Sequence, residues 1–93
     1  MKVRVEVSGL PALYEALKRN TVVEVEFQGR TVRELMAVLV VKFGSDVGKT
    51  LLNDKGDFKF EIRILLNGVI YPVETIMRAP LHDGDTLVFA TPS

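Results

Sequence analysis

The stretch EIRILLNGVIY, at residues 61–71, decides the fold of this sequence. Its first six residues place an isoleucine or leucine at every second position, which is the period of a β-strand with one buried face. Asn67-Gly68 follows, and this dipeptide is a strong signal for the type I′ turn of a β-hairpin. Residues 69–71 then predict a short returning strand that Pro72 ends. The stretch therefore predicts an antiparallel hairpin with one buried face.

Three more segments, at residues 2–8, 21–28 and 86–90, alternate in the same way and predict three further strands. The inward positions of the strands and one face of a helix define the predicted core: Val3, Val5, Val23, Val25, Phe27, Leu35, Leu39, Ile62, Ile64, Leu66, Leu87 and Phe89.

The main helix is expected to begin at Thr31. Thr31 and Glu34 have the spacing of a capping box, in which the hydroxyl accepts from the Glu34 amide and the carboxylate reaches back. Apolar residues then recur at helical spacing up to Gly44, which is a natural stop. Residues 12–19 predict one or two helical turns, and residues 45–58 predict an ordered loop that contains one turn.

The order of elements is strand, strand, helix, strand, short strand, strand. It predicts an α+β fold of the β-grasp (ubiquitin-like) class, in which a mixed sheet of four to five strands packs on one main helix. The first and last strands are expected to lie side by side and parallel in the centre. Residues 1–93 are expected to form a single domain, as their number suggests.

Composition argues against several classes of function. The 12 Lys and Arg balance the 12 Asp and Glu, so the chain lacks the basic excess of a nucleic-acid binder. Cysteine is absent and His82 is the one histidine, so neither a catalytic thiol nor a zinc site is expected. No apolar run approaches the roughly 20 residues of a membrane span, and residues 1–4 do not resemble a signal peptide. We therefore expect a cytoplasmic protein that is not an enzyme and holds no metal or cofactor.

Three motifs resemble functional sites, but a structural role is favoured for each. Residues 44–50 resemble a phosphate-binding loop but have three residues between the glycines rather than four, so a helix end is favoured. His82, with Asp83 and Asp85 beside it, offers acid–base groups, but an exposed turn is the stronger interpretation.

Glu24 and Glu26 form the third such motif, because they share one strand face like a carboxylate pair. Lys2 and Arg4 are expected opposite them on the first strand, so cross-strand ion pairs are favoured over catalysis.

Three apolar residues are expected on the otherwise polar outer face of the sheet: Leu65, Val88 and Ala90. Their strands are neighbours in a β-grasp sheet, so they would form one patch. Because an exposed apolar patch often marks a partner surface, we predict that partner proteins bind here.

Taken together, residues 66–68 (LNG), residues 80–89 (PLHDGDTLVF) and the helix start at residues 31–35 (TVREL) resemble the MoaD/ThiS sulfur-carrier family. The resemblance extends over essentially the whole chain. It implies a carrier without a cofactor that takes part in molybdopterin or thiamine biosynthesis. It also implies two partners, an adenylating enzyme related to ubiquitin-activating enzymes and a sulfur-acceptor synthase subunit.

The resemblance places the reactive group at the C-terminus, so the carrier tail comprises Ala90, Thr91, Pro92 and Ser93. Residues 91–93 are expected to be exposed and mobile. Family members end in Gly-Gly, which threads a narrow channel to ATP, whereas these 93 residues end in Pro92-Ser93. Two hypotheses therefore remain: a sulfur carrier, or a non-catalytic ubiquitin-like binding module derived from one.

Overall fold

The sheet at the centre of the molecule has five strands in the order β2-β1-β5-β3-β4. The structure is a computed structural model that describes residues 1–91. Its elements are β1 Lys2–Ser8, α1 Pro11–Ala16, β2 Val22–Glu26, α2 Val32–Phe43, α3 Ser45–Leu51, β3 Arg63–Leu66, β4 Val69–Tyr71, α4 Val73–Ile76 and β5 Thr86–Ala90. None of the helices within residues 1–91 is long and apolar enough to cross a bilayer.

The two central strands, β1 and β5, are parallel, and every other pairing in the sheet is antiparallel. Val5 lies beside Leu87 in this central pair, and both side chains are fully buried. Glu24 and Arg63 are exposed on the other face, as the alternation of their strands requires. The predicted α+β β-grasp fold, its mixed sheet and the inward parity of its strands are confirmed.

The N-terminus of α2 is capped partly by its own residues and partly by a distant segment. Thr31 Oγ1 accepts a hydrogen bond from the Glu34 amide at 3.3 Å, as predicted. The amides of Val32 and Arg33 donate to carbonyls of the segment that follows α4, at residues 77 and 79. Since the first amides of a helix have no partner within it, this segment completes the cap.

The predicted core is confirmed, except that Val23 is only half-buried on the edge strand β2. The structure adds buried residues from segments where the sequence shows no clear period: Leu13, Leu17, Val47, Leu51, Phe58, Ile76, Met77, Ala79 and Leu81.

Several elements differ from the prediction: α1 and β2 are shorter than the predicted residues 12–19 and 21–28, and three other differences are larger. α3 is a seven-residue helix where a loop with one turn was expected, and α4 lies in a stretch to which no element was assigned. Both helices are too short for apolar periodicity to stand out. β3 begins at Arg63 rather than residue 61.

Candidate functional site

The strand that leads to the C-terminus is held on both sides. Ala90, the last residue of β5, pairs with Ser8 of β1 and with Arg63 of β3. The Thr91 amide continues this pairing by donating to the Ser8 carbonyl at 3.3 Å. The described part of the chain therefore ends in the middle of the sheet, and we call Ala90 and Thr91 the tail root.

Gly9 shapes the tail root. Its φ is +70°, a conformation that side chains rarely adopt, and a Cβ added to it would lie 2.9 Å from Thr91 Oγ1. Thr91 is half-buried beside it. The expectation of an exposed tail is therefore wrong for Thr91, because pairing with β1 extends one residue beyond β5. Pro92 and Ser93, the rest of the predicted tail, lie outside the described residues.

The predicted patch lies on the outer face of β3 and β5. Leu65 and Val88 face each other directly across the two strands, and Ala90 is the next outward residue along β5. All three are half-buried. Ile70 of β4 lies opposite Leu65 and is 57% exposed, so it extends the same surface. We call Leu65, Ile70, Val88 and Ala90 the outer patch.

Ile70 was not among the residues predicted on this face, although the sequence contains a signal for it. A two-residue Asn-Gly hairpin pairs the residues that flank the turn, Leu66 with Val69, and therefore places Ile70 opposite Leu65. Counting from the turn identifies the most exposed member of the outer patch.

Charged side chains border the outer patch. Glu6 of β1 lies beside Val88, and Arg63 lies beside Ala90. An apolar centre with a polar rim is the usual composition of a protein-binding surface. Because Ala90 belongs to both the patch and the tail root, a protein bound to the patch would lie next to the tail root.

An apolar groove of about 270 Å³ lies on the other side of the tail root. It is lined by Val7, Gly9, Leu10, Pro11, Tyr14 and Thr21. Gly9, which lies next to Thr91, therefore connects the groove to the tail root.

A network of polar groups closes the opposite end of the sheet. Asn67, in the β3–β4 turn with φ of +51°, accepts a hydrogen bond from the Thr86 amide at 2.9 Å and donates to Asp85 Oδ1 at 3.0 Å. Asp85 Oδ2 accepts from the His82 amide at 2.8 Å. Asp83 accepts from an amide of β1, that of Lys2, at 2.7 Å. These bonds tie β5 to the turn and to β1.

The acid–base interpretation of His82 gains no support from this network. Its side chain is 79% exposed, and Nδ1 lies 3.8 Å from Asp85 Oδ2. Within residues 1–91, no cluster of three His, Asp or Glu side chains could hold a metal ion. The carboxylate of Asp85 is engaged by amides, so its evident role is to hold the loop.

The structure assigns Glu24 and Glu26 to the cross-strand arrangement expected from the sequence. Arg4 lies opposite Glu24 and Lys2 lies opposite Glu26. The ion pair itself is diagonal, between Lys2 Nζ and Glu24 Oε2 at 3.7 Å, and both side chains are more than half exposed. Such a pair contributes little to stability and leaves these charges accessible to solvent.

Residues 44–50 do not have the arrangement of a phosphate loop. Gly44 ends α2, its amide donating to Val40, and α3 begins at the next residue. A phosphate loop follows a strand and opens a long helix, whereas this segment joins two helices. The favoured interpretation, a helix end, is confirmed.

The carboxylate of Glu34 has a pKa below its ordinary value. Hydrogen bonds from the Arg30 amide, at 3.0 Å, and from the Thr31 hydroxyl, at 3.2 Å, lower the pKa of Glu34. The carboxylate thus reaches back one residue beyond the N-cap. This shift belongs to helix capping and not to chemistry at the tail.

No protein-family model matches this chain, and no curated protein matches its sequence. Solved structures do match. SAMP1 of Haloferax volcanii, a small archaeal modifier protein, has a TM-score of 0.78 at 20% identity, over 100% of this chain and 97% of that chain. A chain of the Amycolatopsis orientalis BexX/CysO complex has a TM-score of 0.72 at 21% identity, over 98% of this chain and 96% of that one.

A putative molybdopterin converting factor, subunit 1, from Pyrococcus furiosus has a TM-score of 0.69 at 20% identity, over 100% of this chain and 99% of that chain. These matches extend over whole chains of the same size. They show that the chain shares the β-grasp (ubiquitin-like) fold of these proteins. The resemblance drawn from residues 31–35, 66–68 and 80–89 is therefore confirmed at the level of the fold.

Proposed function

We propose that this protein is a ubiquitin-like sulfur carrier whose reactive group is a C-terminal carboxylate. The observation that carries the proposal is the position of the tail root. Thr91, the last described residue, is paired in the middle of the sheet beside the apolar outer patch. A protein that binds this patch is thereby placed next to the terminus.

The chemistry would be carried out by partner proteins. In an adenylating enzyme the carboxylate attacks the α-phosphorus of ATP, so that an acyl–phosphate bond forms and pyrophosphate leaves. A hydrosulfide nucleophile then attacks the acyl carbon, AMP leaves with the bonding electrons, and a thiocarboxylate remains. This scheme gives the chain itself no catalytic group, which is why we propose a carrier and not an enzyme.

The outer patch would serve both partners in turn. An apolar surface with a charged rim can bind the adenylating enzyme first and a sulfur-acceptor synthase subunit afterwards, provided that neither complex is permanent. The likeness to a chain of the BexX/CysO complex and to a molybdopterin converting factor subunit supports partners of this kind. We propose a cytoplasmic location on the same grounds, since activation consumes ATP.

The tail can be tested directly with an activating enzyme of the MoaD type. We expect no adenylation of a chain that ends at Ser93, because the serine side chain and the ring of Pro92 obstruct a channel shaped for glycines. A chain extended to Gly-Gly at the spacing of the family should be adenylated. Pyrophosphate release and the mass of the AMP conjugate measure both outcomes.

The same experiment separates the carrier from the second hypothesis, a non-catalytic binding module. Efficient adenylation of the Ser93 form would refute the obstruction argument. If the Gly-Gly form stays inert with its cognate enzyme but still binds a partner through the outer patch, the binding-module hypothesis is favoured.

A further inference from the structure

The edge strand β2 has open backbone groups along one side. Met1 and Phe27 exchange both of their backbone hydrogen bonds, Met1 N to Phe27 O at 2.9 Å and Phe27 N to Met1 O at 3.0 Å. In an antiparallel pair such exchanges recur at every second residue, so the backbone N–H and C=O groups of Val23 and Val25 also point toward β1. The N–H and C=O groups of the alternate residues point away from the sheet. We call Val22, Glu24 and Glu26 the open edge.

The open edge has no partner within residues 1–91. β2 is the terminal strand of the sheet, and the side chains of Val22, Glu24 and Glu26 are all exposed. Three residues with outward groups offer three donors and three acceptors. An added antiparallel strand of five residues would form six hydrogen bonds with them.

The opposite edge, β4, cannot accept a strand in this way. The Asn67 amide donates to Thr86 of β5, so by alternation the backbone N–H and C=O groups of Leu66 and Ile64 point toward β4. Within β4, only the backbone groups of Ile70 point away from the sheet. Pro72, the next residue, has no N–H, and its carbonyl accepts from the amides of Thr75 and Ile76 in α4. A short strand ended by proline is a common protection of a sheet edge.

The side chains along the open edge indicate what it would bind. Glu24 and Glu26 carry two negative charges on the outer face, and Val22 is 45% exposed. Pairing with a second copy of β2 centred on Glu24 would place the two Glu24 carboxylates opposite each other. Directly opposed like charges destabilise a sheet, so a second copy is a poor partner.

The complementary pattern is already present in the protein, on the other side of β2. Along β1, Lys2 lies opposite Glu26, Arg4 lies opposite Glu24, and valine occupies the positions between and after them. β1 is thus the chain's own example of a strand that suits β2: basic, apolar, basic, apolar.

We propose that the open edge of β2 binds an extended segment of a partner protein in which basic and apolar residues alternate, by addition of an antiparallel sixth strand. The basic side chains lie opposite Glu24 and Glu26, and an apolar residue lies opposite Val22 at the end of the strand. This surface is separate from the outer patch and from the tail root. The protein can therefore hold such a segment while its tail is engaged elsewhere.

Amide hydrogen exchange in the free protein tests the first step. The amides of Val22, Glu24 and Glu26 should exchange rapidly, and those of Val23 and Val25 should be protected. The second step uses a synthetic peptide with the core lysine-valine-lysine-valine-valine, flanked by glycine and serine. Its addition should slow exchange at the three open-edge amides alone.

Variants of the peptide and of β2 distinguish the contribution of the charged side chains to binding from that of the backbone hydrogen bonds. A peptide with glutamate in place of lysine should bind about tenfold more weakly or worse, since two attractive cross-strand pairs become repulsive. The double variant E24K/E26K should reverse that preference. Glu24→Pro removes one outward donor and no bond to β1, so it should weaken both peptides, with protection of the Val25 amide as the control for folding.

Three results would overturn the proposal. They are equal binding of the two peptides, peptide-induced protection on β4 or the outer patch instead of β2, and protection of the open edge that rises with protein concentration when no peptide is present. The last result would assign the edge to a second copy. None of these measurements involves the tail or an activating enzyme, so their outcome is independent of the carrier function.

Discussion

Exchanging the roles of Asn67 and Asp85 tests the network that holds the end of the sheet remote from the tail. Asn67→Asp keeps the shape of the side chain and the acceptor for the Thr86 amide, but it removes the donor to Asp85 Oδ1, 3.0 Å away. The Asp85 side chain is only 14% exposed, so water screens it incompletely. The substitution therefore sets two carboxylates against each other.

The expected cost follows from these distances. Loss of one hydrogen bond to a charged acceptor costs about 1.5 kcal/mol, and two unit charges about 3 Å apart repel by roughly 1.4 kcal/mol even at the dielectric constant of water. Asn67→Asp should thus lower the free energy of unfolding by about 3 kcal/mol. Urea denaturation at low salt measures it, and in about 1 M salt part of the loss should be recovered because the repulsion is screened.

The double variant N67D/D85N restores the missing bond with donor and acceptor exchanged. The amide group introduced at position 85 would donate to the carboxylate introduced at position 67, and its oxygen can still accept from the His82 amide. The double variant should be more stable than Asn67→Asp alone, with a coupling energy of at least about 1 kcal/mol in a double-mutant cycle. Additive effects of the two substitutions would refute the view that these side chains act as a pair.

Three further predictions concern the core, the helix cap and the outer patch. Leu39→Ala, at a fully buried position of α2, should cost roughly 2–5 kcal/mol in chemical denaturation, whereas Val41→Ala, two residues away and 87% exposed, should change stability by less than about 0.5 kcal/mol. Because the pKa of Glu34 is lowered in the folded state, its stabilising contribution is present above its unfolded pKa and is lost as the pH falls through the lower folded value. The stability difference between wild type and Glu34→Gln should therefore shrink on acidification, and a difference independent of pH would contradict the assignment. Ile70→Glu should weaken complex formation with an adenylating enzyme, measured calorimetrically, by about tenfold or more because a charge must be desolvated there, and it should leave folding nearly unchanged; equal binding would exclude this part of the patch.

Ile70 is a better probe of the outer patch than Leu65, and the reason is visible only in the structure. Both lie on the outer face, but Leu65 is half-buried between β4 and β5, whereas Ile70 is on the edge strand. A charge at Leu65 would disturb folding as well as binding. At Ile70 a charge should affect binding without affecting folding.

Much of the fold could be predicted because its signals are local. Alternation over seven residues specifies β1 and its buried face, and the Thr31–Glu34 spacing specifies the start of α2. The short helices α3 and α4 could not be predicted in this way, since seven residues or fewer contain too few turns for a period to appear. Leu51 and Ile76 are buried because other elements cover them.

The features of the candidate site could likewise be predicted only where their signals are local. The sequence by itself determined that Leu65, Val88 and Ala90 face outward, because the side-chain period of a strand depends on the strand's own backbone. It could not determine that Thr91 stays paired with Ser8, that Ile70 joins the patch, or that β2 is left with an open edge. These features depend on which strands become neighbours and on the register between them, and such contacts join residues far apart in the chain. Only the tertiary structure could decide them, because a hydrogen bond in a sheet requires a partner strand that no local pattern of residues specifies.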